Sequence, residues 1–335
     1  VELIDVDRIE NIHLYPYFYL KEYVSFIKDS ENKDVLFFAD EYGNSIACKV
    51  WFSKLLKLIQ PTYPPLTKNG IRLSEAQEYT FLNKWVAFIL KEKIADRITQ
   101  PENFAIFSSP PLHSISSSFG TYFINLEKFT EDELFDNLHT KHRNVIKNAK
   151  KNNVIIKYGK ESIDDFYLMY NQTMKRSGMA CQDISYFEDF YDYVPKNIVC
   201  GVAYYNDIPQ GGLFMPYTPF SSFYLYGASA DKIEVTGAIN YLHWETIKFL
   251  KQKGVKRYDF VGARLSDVTG TKLEGIQQFK KRFGAELEKG FLWKKDLNKS
   301  KCNLYDALLR LKIKIRGKEQ LLDIIDQENK KLYGL

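Results

Sequence analysis

The sequence predicts an α/β protein with mixed sheets, made of two units in tandem. Three observations predict it. Alternating apolar and polar residues form groups of short strands joined by Gly, Asn, Asp and Pro turns. Helix-period segments separate those groups, as in layered helix-and-sheet architectures. The order helix, strands, helix, strand then occurs in both halves of a 335-residue chain, long enough for two domains of ordinary size.

In the first unit, residues 13–28 read as a loop entering an aromatic helix. Residues 35–40 and 45–51 pair as a hairpin across the turn Glu41-Tyr42-Gly43-Asn44. Residues 55–59 are apolar, and Pro61, Pro64 and Pro65 mark an irregular segment after them. Ser74, with Gln77 at a capping-box spacing, starts a helix running to residue 93. Residues 104–107 and 122–126 read as strands, separated by a Ser- and Pro-rich loop, 108–118, centred on His113. Thr130, with Glu133 in the capping-box position, starts one long helix whose buried stripe is Leu134, Leu138, Val145 and Ala149. Asn152-Asn153 ends it.

The second unit opens on a strand at 154–157. Helices at 162–176 and 186–193 precede a three-strand meander at 198–205, 209–216 and 222–228. A helix over 236–253 carries Ile239, Leu242, Phe249 and Leu250 on one face. Residues 255–261 alternate as a strand, a short helix covers 271–282, and 285–293 is strand-like. Basic helical segments at 304–316 and 319–332 follow. The expected domains are 1–152 and 153–299, with 300–335 returning to the first.

Composition sets limits on function. Lys and Arg exceed Asp and Glu by 47 to 42, a mild excess that permits a polyanionic partner without requiring one. Cys48, Cys181, Cys200 and Cys302 lie far apart with no CxxC pair, which argues against a zinc-finger site or a disulfide scaffold and fits a reducing compartment. The five histidines show no metal-ligand spacing, and no metal is expected. His139 and His142 read as surface or packed residues beside a basic face. No signal-peptide pattern and no run of 18 apolar residues is present, so a cytoplasmic monomer without a membrane span is expected. HExxH, GxSxG and Walker A motifs are absent.

One lysine is out of place. With about 100° per residue and Leu273 as the reference, Ile276 and Phe283 fall about 60° and 80° to one side. Lys280 falls about 20° from Leu273, inside the apolar stripe, whereas Lys281 and Arg282 point away. A lysine on an apolar face either extends its ammonium out to water or reaches into a cavity where the charge is used. Arg143, Lys147 and Lys150 cluster within about 60° on the long helix. They form either a solvated basic face or a ridge facing phosphates.

Five segments carry a resemblance. Leu138-His-Thr-Lys-His-Arg143-Asn-Val-Ile-Lys147-Asn-Ala-Lys150 is similar to a helix of the FemABX family. Tyr224-Leu-Tyr226-Gly227-Ala228-Ser229, the helix with Tyr241 and Trp244-Glu245, Gly254-Val-Lys-Arg-Tyr258-Asp259-Phe260, and Gly275-Ile-Gln-Gln-Phe279-Lys280 match the same family in order. Together they cover about half the chain, residues 130–290. The resemblance implies paired domains of the GNAT acyltransferase fold, in the compact form without a helical arm. It implies transfer of an amino acid from aminoacyl-tRNA to an amine of a nucleotide- or lipid-linked peptidoglycan precursor, with no bound cofactor. It implies that Phe279 and Lys280 lie at the acyl-transfer site, with Lys280 stabilising the charge that develops on the attacked carbonyl. Tyr224, Tyr226, Asp259, Arg143 and Lys147 are the candidate substrate-binding residues; Asp259 is a proton acceptor or a strand anchor. The first 120 residues match only loosely.

Two other readings stand beside this one. The first is an acyl-CoA-dependent N-acyltransferase acting on an amino sugar or polysaccharide precursor. A coenzyme A site in this fold needs a Gly-rich loop before a helix N-terminus. Residues 229–238 contain one Gly and two acids, a poor cradle for pyrophosphate. The second is a catalytically silent module that binds RNA or a cell-wall precursor.

Overall fold

The computed structural model describes residues 1–315 and 322–333. The first half contains β1 (Glu2–Ile4), α1 (Lys21–Glu31), β2 (Asp34–Ala39), β3 (Ser45–Ser53), β4 (Leu56–Pro61) and α2 (Glu75–Lys91). Then come β5 (Arg97–Ile98), β6 (Ile115–Asn125), α3 (Glu131–Asp136) and α4 (Thr140–Lys151). The second half contains β7 (Ile155–Tyr158), α5 (Ile163–Ser177), α6 (Ile184–Tyr193), β8 (Ile198–Tyr205), β9 (Ile208–Pro216), β10 (Ser222–Phe223) and β11 (Tyr226–Ser229). After these are α7 (Ala238–Gln252), β12 (Arg257–Asp259), β13 (Ala263–Arg264), α8 (Lys272–Lys281), β14 (Glu286–Asp296), α9 (Lys299–Ile315) and α10 (Ile324–Tyr333).

Among the described residues, the strands form two layers, a mixed sheet and an antiparallel one. A ten-stranded sheet runs β1-β2-β3-β4-β5-β14-β6-β12-β10, with β13 also paired to β6, and a four-stranded sheet runs β11-β9-β8-β7. The α/β class with a mixed sheet is therefore as expected: β4 pairs β5 and β10 pairs β12 in parallel, while the rest are antiparallel. One apolar core joins the aromatic segment Tyr15–Tyr23 to α2, α5 and α6. A second fills the space between α4, α7, β8, β9 and the β6–β12 pair.

Sheet membership crosses the expected boundary at 152/153. β14 lies against β6 from Glu286↔Phe123 to Lys294↔Ile115, so the second half completes the sheet of the first. The apolar alternation of β14 could be read from the chain, but not the partner that would cover it. Residues from 299–315 and 324–333 pack against the first half: Cys302 on Leu56 and Leu58, and Ile325 on Ile106 and Phe119.

Five local expectations are corrected. The helix expected from Thr130 is two helices, broken at 137–139. The Thr130–Glu133 capping box forms, and His139 Nδ1 then accepts from the Lys141 N–H to start α4. That break rotates the stripe, so His142 and Ile146 are buried in place of Val145. Residues 104–107 are buried but irregular, with a single bridge from Phe107 to Phe291. The Ser-rich residues 115–118 lie within β6, because pairing with β14 outweighs the low strand preference of serine. The strand expected at 222–228 divides at Tyr224-Leu225: β10 pairs β12 in the large sheet, and β11 pairs β9 in the small one. The helix expected at 304–316 begins at Lys299. Residues 316 and 319–321 of the two expected C-terminal helices lie outside the described residues.

Candidate active site

The division of the chain at Tyr224-Leu225 opens a wedge between the two sheets, and β12 leads into it. Asp259, the last residue of β12, is fully buried. Its Oδ1 accepts from Thr121 Oγ1 at 2.5 Å and from the Val261 N–H at 2.8 Å; its Oδ2 accepts from Arg257 Nη2 at 2.8 Å and Nε at 3.1 Å. Arg257 also pairs with Glu288 at 2.6 Å, and Glu288 with Arg72 at 3.0 Å. Four donors leave Asp259 no lone pair aimed at a substrate, so it anchors the strand rather than taking a proton.

Beyond Asp259 the backbone turns through two consecutive left-handed residues, Val261 at φ 49° and Gly262 at φ 48°. A β-branched residue there is a backbone outlier. The turn is held by the lysine that the helical pattern places inward. Lys280, in the last turn of α8, is 7% exposed and is the buried residue of that helix. Its Nζ donates to the carbonyls of Val261 and, at 2.7 Å, Gly262. Burial pulls the ammonium down from 10.5 to about 8, with the charge of Asp259 opposing the shift. An ammonium has three donors, and one remains beyond the two carbonyls.

The Gly262 N–H donates to the Asn103 carbonyl at 3.2 Å. Asn103 lines a cavity of about 200 Å³ together with Tyr17, Tyr23, Lys49, Glu102 and Tyr226. Taking about 30 Å³ per water, that is space for a group of amino-acid size. Lys49 is buried within it, 3.3 Å from Glu102 and 3.9 Å from Glu31. Burial alone would lower its ammonium, but the two carboxylates hold it above its ordinary value. The Tyr226 hydroxyl donates to Tyr186 at 3.2 Å, and burial pushes its phenol up to about 12.

The expected site residues therefore divide into groups. Lys280 and Asp259 both hold the Val261-Gly262 turn, and Tyr226 lines the cavity whose wall includes Asn103, the residue bonded to Gly262. Tyr224 donates its N–H to the Asp259 carbonyl at 2.8 Å, but its ring turns to the opposite side, 4.6 Å from the His243 ring. Phe279 also faces away from the Lys280 ammonium, against His142, His243 and Phe283. Arg143 is committed to the carbonyls of Asp136 and Leu138 and closes the end of α3. Lys147 lies over Phe135 in a groove that also holds Glu131, Asp132, Asp136 and Glu245. The structure does not bring Arg143 or Lys147 to Lys280, and acids interleave this basic face, which disfavours the phosphate-facing alternative. Lys248 pairs with Glu245, and Lys256 with Glu127, in the same manner.

The sequence matches the FemAB family over residues 115–207 and 204–291, more than half of the chain and including Lys280 and the wedge. The chain belongs to the FemAB family. Among solved structures, that of FemX superposes with a TM-score of 0.69 at 14% identity, covering 91% of this chain and 99% of that one. A conserved protein of unknown function from Bacteroides thetaiotaomicron gives 0.55 at 12%, covering 87% and 98%. The C-terminal domain of a putative lysylphosphatidylglycerol synthetase from Agrobacterium fabrum gives 0.53 at 12%, covering 91% and 96%. At these identities the likeness is one of fold. No curated protein matches the chain.

Two features of this FemAB-family chain escaped the sequence reading. Lys49 sits in the apolar run Ile46-Ala-Cys-Lys49-Val50-Trp51, and a lone charge within a buried strand was the available signal. His243 lies four residues after Ile239 and four before Ile247 on α7, squarely on the apolar face. Its Nδ1 lies 2.6 Å from the Tyr258 hydroxyl, its Nε2 has no partner, and burial pulls its imidazole down to about 3.

Proposed function

We propose that this chain transfers an aminoacyl group from an ester donor, aminoacyl-tRNA, to an amine of a peptidoglycan precursor. The observation that carries the reading is the buried Lys280 ammonium, fixed on the Val261 and Gly262 carbonyls one peptide away from the Tyr226 cavity. The acceptor amine attacks the ester carbonyl, forming the C–N bond. The ester C–O bond then breaks, and the ribose hydroxyl leaves with a proton from the amine. Between these events the carbonyl oxygen carries negative charge, and the third N–H of the Lys280 ammonium is the donor this reading assigns to it. Fixed donors of this kind act without reorganisation in a site closed to water. Tyr226, Lys49 and Glu102 orient the amine-bearing group in the cavity.

The N-terminus of α7 supports an ester donor over a coenzyme A thioester. Gln210 Oε1 accepts from the Glu234 N–H at 2.7 Å, and a Cβ on Gly237 would overlap the Val145 carbonyl oxygen of α4. In the loop before α7 the N–H groups of Glu234 and Val235 are thus taken by Gln210, and the α4 backbone closes against Gly237, which leaves less room for a pyrophosphate there.

A thermal-shift panel tests this: acetyl-CoA, charged and uncharged tRNA, and UDP-linked muropeptide. Stabilisation by charged tRNA or muropeptide, with no response to acetyl-CoA, is expected. A shift with acetyl-CoA alone would overturn the ester reading in favour of the CoA-dependent enzyme. Binding without any transfer would leave only the silent module.

A further inference from the structure

The β3–β4 turn, the end of α2 and the outer face of α9 share a character that the transfer chemistry does not use. At the turn, Phe52 is 75% exposed, and Leu55 and Leu90 beside it are also open to solvent. They line a groove of about 740 Å³ whose charged residues are Lys54, Lys57, Lys93, Lys299 and Lys301, with Asp96 as the acid. Asp96 is paired with Lys301 at 3.1 Å, so the groove as a whole is strongly cationic.

The helix α9 starts in this groove and continues the pattern. Cys302 is buried on its inner side, and Tyr305 packs there with Leu56 and Leu58. On the outer side, Leu304, Leu308, Leu311 and Ile315 are all exposed, Ile315 at 76%. At about 100° per residue these four span about 60° of the helix, and Lys301, Lys312 and Lys314 lie within about 80° on either flank. An apolar stripe bordered by lysines on both sides matches helices that lie in a membrane interface. Exposed apolar surface concentrated in this way marks an interaction site.

We propose that this face docks the protein on an anionic lipid bilayer. Phe52, Leu55 and the α9 stripe enter the boundary between headgroups and acyl chains, and the surrounding lysines meet the lipid phosphates. Charge selects this occupant. A second copy packed stripe to stripe would set lysine against lysine, and an RNA would leave the Leu304–Ile315 stripe without a partner. The inference stands apart from the Lys280 chemistry, and none of these residues touches the wedge.

The test is flotation of the full chain with vesicles of phosphatidylcholine alone and with 3:1 phosphatidylcholine to phosphatidylglycerol, about a quarter anionic lipid, enough to hold a surface charge. The account expects binding to the anionic vesicles at least about tenfold tighter than to the neutral ones, weakening with salt. The pairs Phe52→Ser with Leu55→Ser, and Leu308→Ser with Leu311→Ser, should each weaken binding about tenfold or more. Lys54→Gln and Lys93→Gln should each cost about fivefold. All these side chains are exposed or at the groove rim, and an unchanged Tm and unchanged transfer rate with soluble substrates confirm that the fold and the Lys280 site are intact. Equal binding to both vesicle types, no binding to either, or binding insensitive to every variant would overturn the proposal. So would concentration-dependent dimerisation abolished by the Leu308/Leu311 pair, or tRNA binding lost with the lysines while lipid binding is absent.

Discussion

Lys280 holds the Gly262 carbonyl at 2.7 Å, and Gly262 in turn donates its N–H to the Asn103 carbonyl at 3.2 Å. The cation of α8 is thereby linked through one glycine to the wall of the Tyr226 cavity. A helix residue thus positions the charge one hydrogen-bonded glycine away from that cavity.

The pH dependence of transfer follows from the Lys280 ammonium. Its folded-state value is about 8, against 10.5 for a free lysine. Transfer should fall as pH rises through about 8, because the cation that stabilises the oxyanion is lost. Stability moves the other way. Between 8 and 10.5 the unfolded chain holds this proton and the folded chain does not, so this group makes the fold more stable as pH rises across that interval. Lys280→Arg, cationic at every accessible pH, should remove the alkaline loss of whatever activity it retains. A pH–rate profile of the two proteins checks both points; an identical alkaline limb in each would assign it to another group.

Asp259→Asn should destabilise the fold by about 1–3 kcal/mol, because it removes one of the two carboxylates on the largely buried Arg257, which keeps Glu288 as its partner. Urea denaturation measures this. A loss below about 1 kcal/mol would mean that the carboxylate is not the anchor described.

The pair His243 and Tyr258 should govern part of the acid sensitivity. Burial lowers the His243 imidazole from 6.5 to about 3, so the unfolded chain takes up a proton that the folded chain refuses. Its contribution to stability is intact above 6.5 and falls as pH drops from there toward 3. Replacing both residues, His243→Phe with Tyr258→Phe, should flatten stability against pH over that window. Unfolding midpoints at pH 7 and pH 5 give the comparison, and an unchanged slope would contradict it.

A Cβ on Gly227 would overlap the Tyr224 hydroxyl. Gly227→Ala should therefore cost about 1–3 kcal/mol by displacing that ring from His243. Tyr224→Leu in the same chain should recover at least about 1 kcal/mol of the loss, the coupling expected of residues in direct contact. Strictly additive losses in a double-mutant cycle would show that the two do not compete for space.

Much of this arrangement was legible before the structure. Lys280 turns inward as the helical pattern placed it, although Leu273 and Ile276, the residues that defined the stripe, are themselves exposed, and the Thr130–Glu133 and Ser74–Gln77 boxes formed where local spacing placed them. What was not legible depends on distant pairing. β14 joins β6 across more than 160 residues, and that contact converts the serines at 116–118 from loop to strand. The same holds at Tyr224 and Tyr226. Alternation assigned both to one strand, but the strand changes sheets between them, and the two rings pack on different cores. Arg143 looked like a surface cation because no pattern announced the break at 137–139 whose carbonyls it covers.

The central claim is that Lys280 supplies the charge for acyl transfer. Single-turnover transfer of labelled amino acids from charged tRNA to UDP-linked muropeptide, compared between the natural chain and Lys280→Met, tests it most directly. Transfer by the natural chain, slowed about 10²–10³-fold in the variant with the Tm of a folded protein, is the expected result. Equal rates in the two proteins, or transfer from acetyl-CoA and none from any charged tRNA, would contradict it.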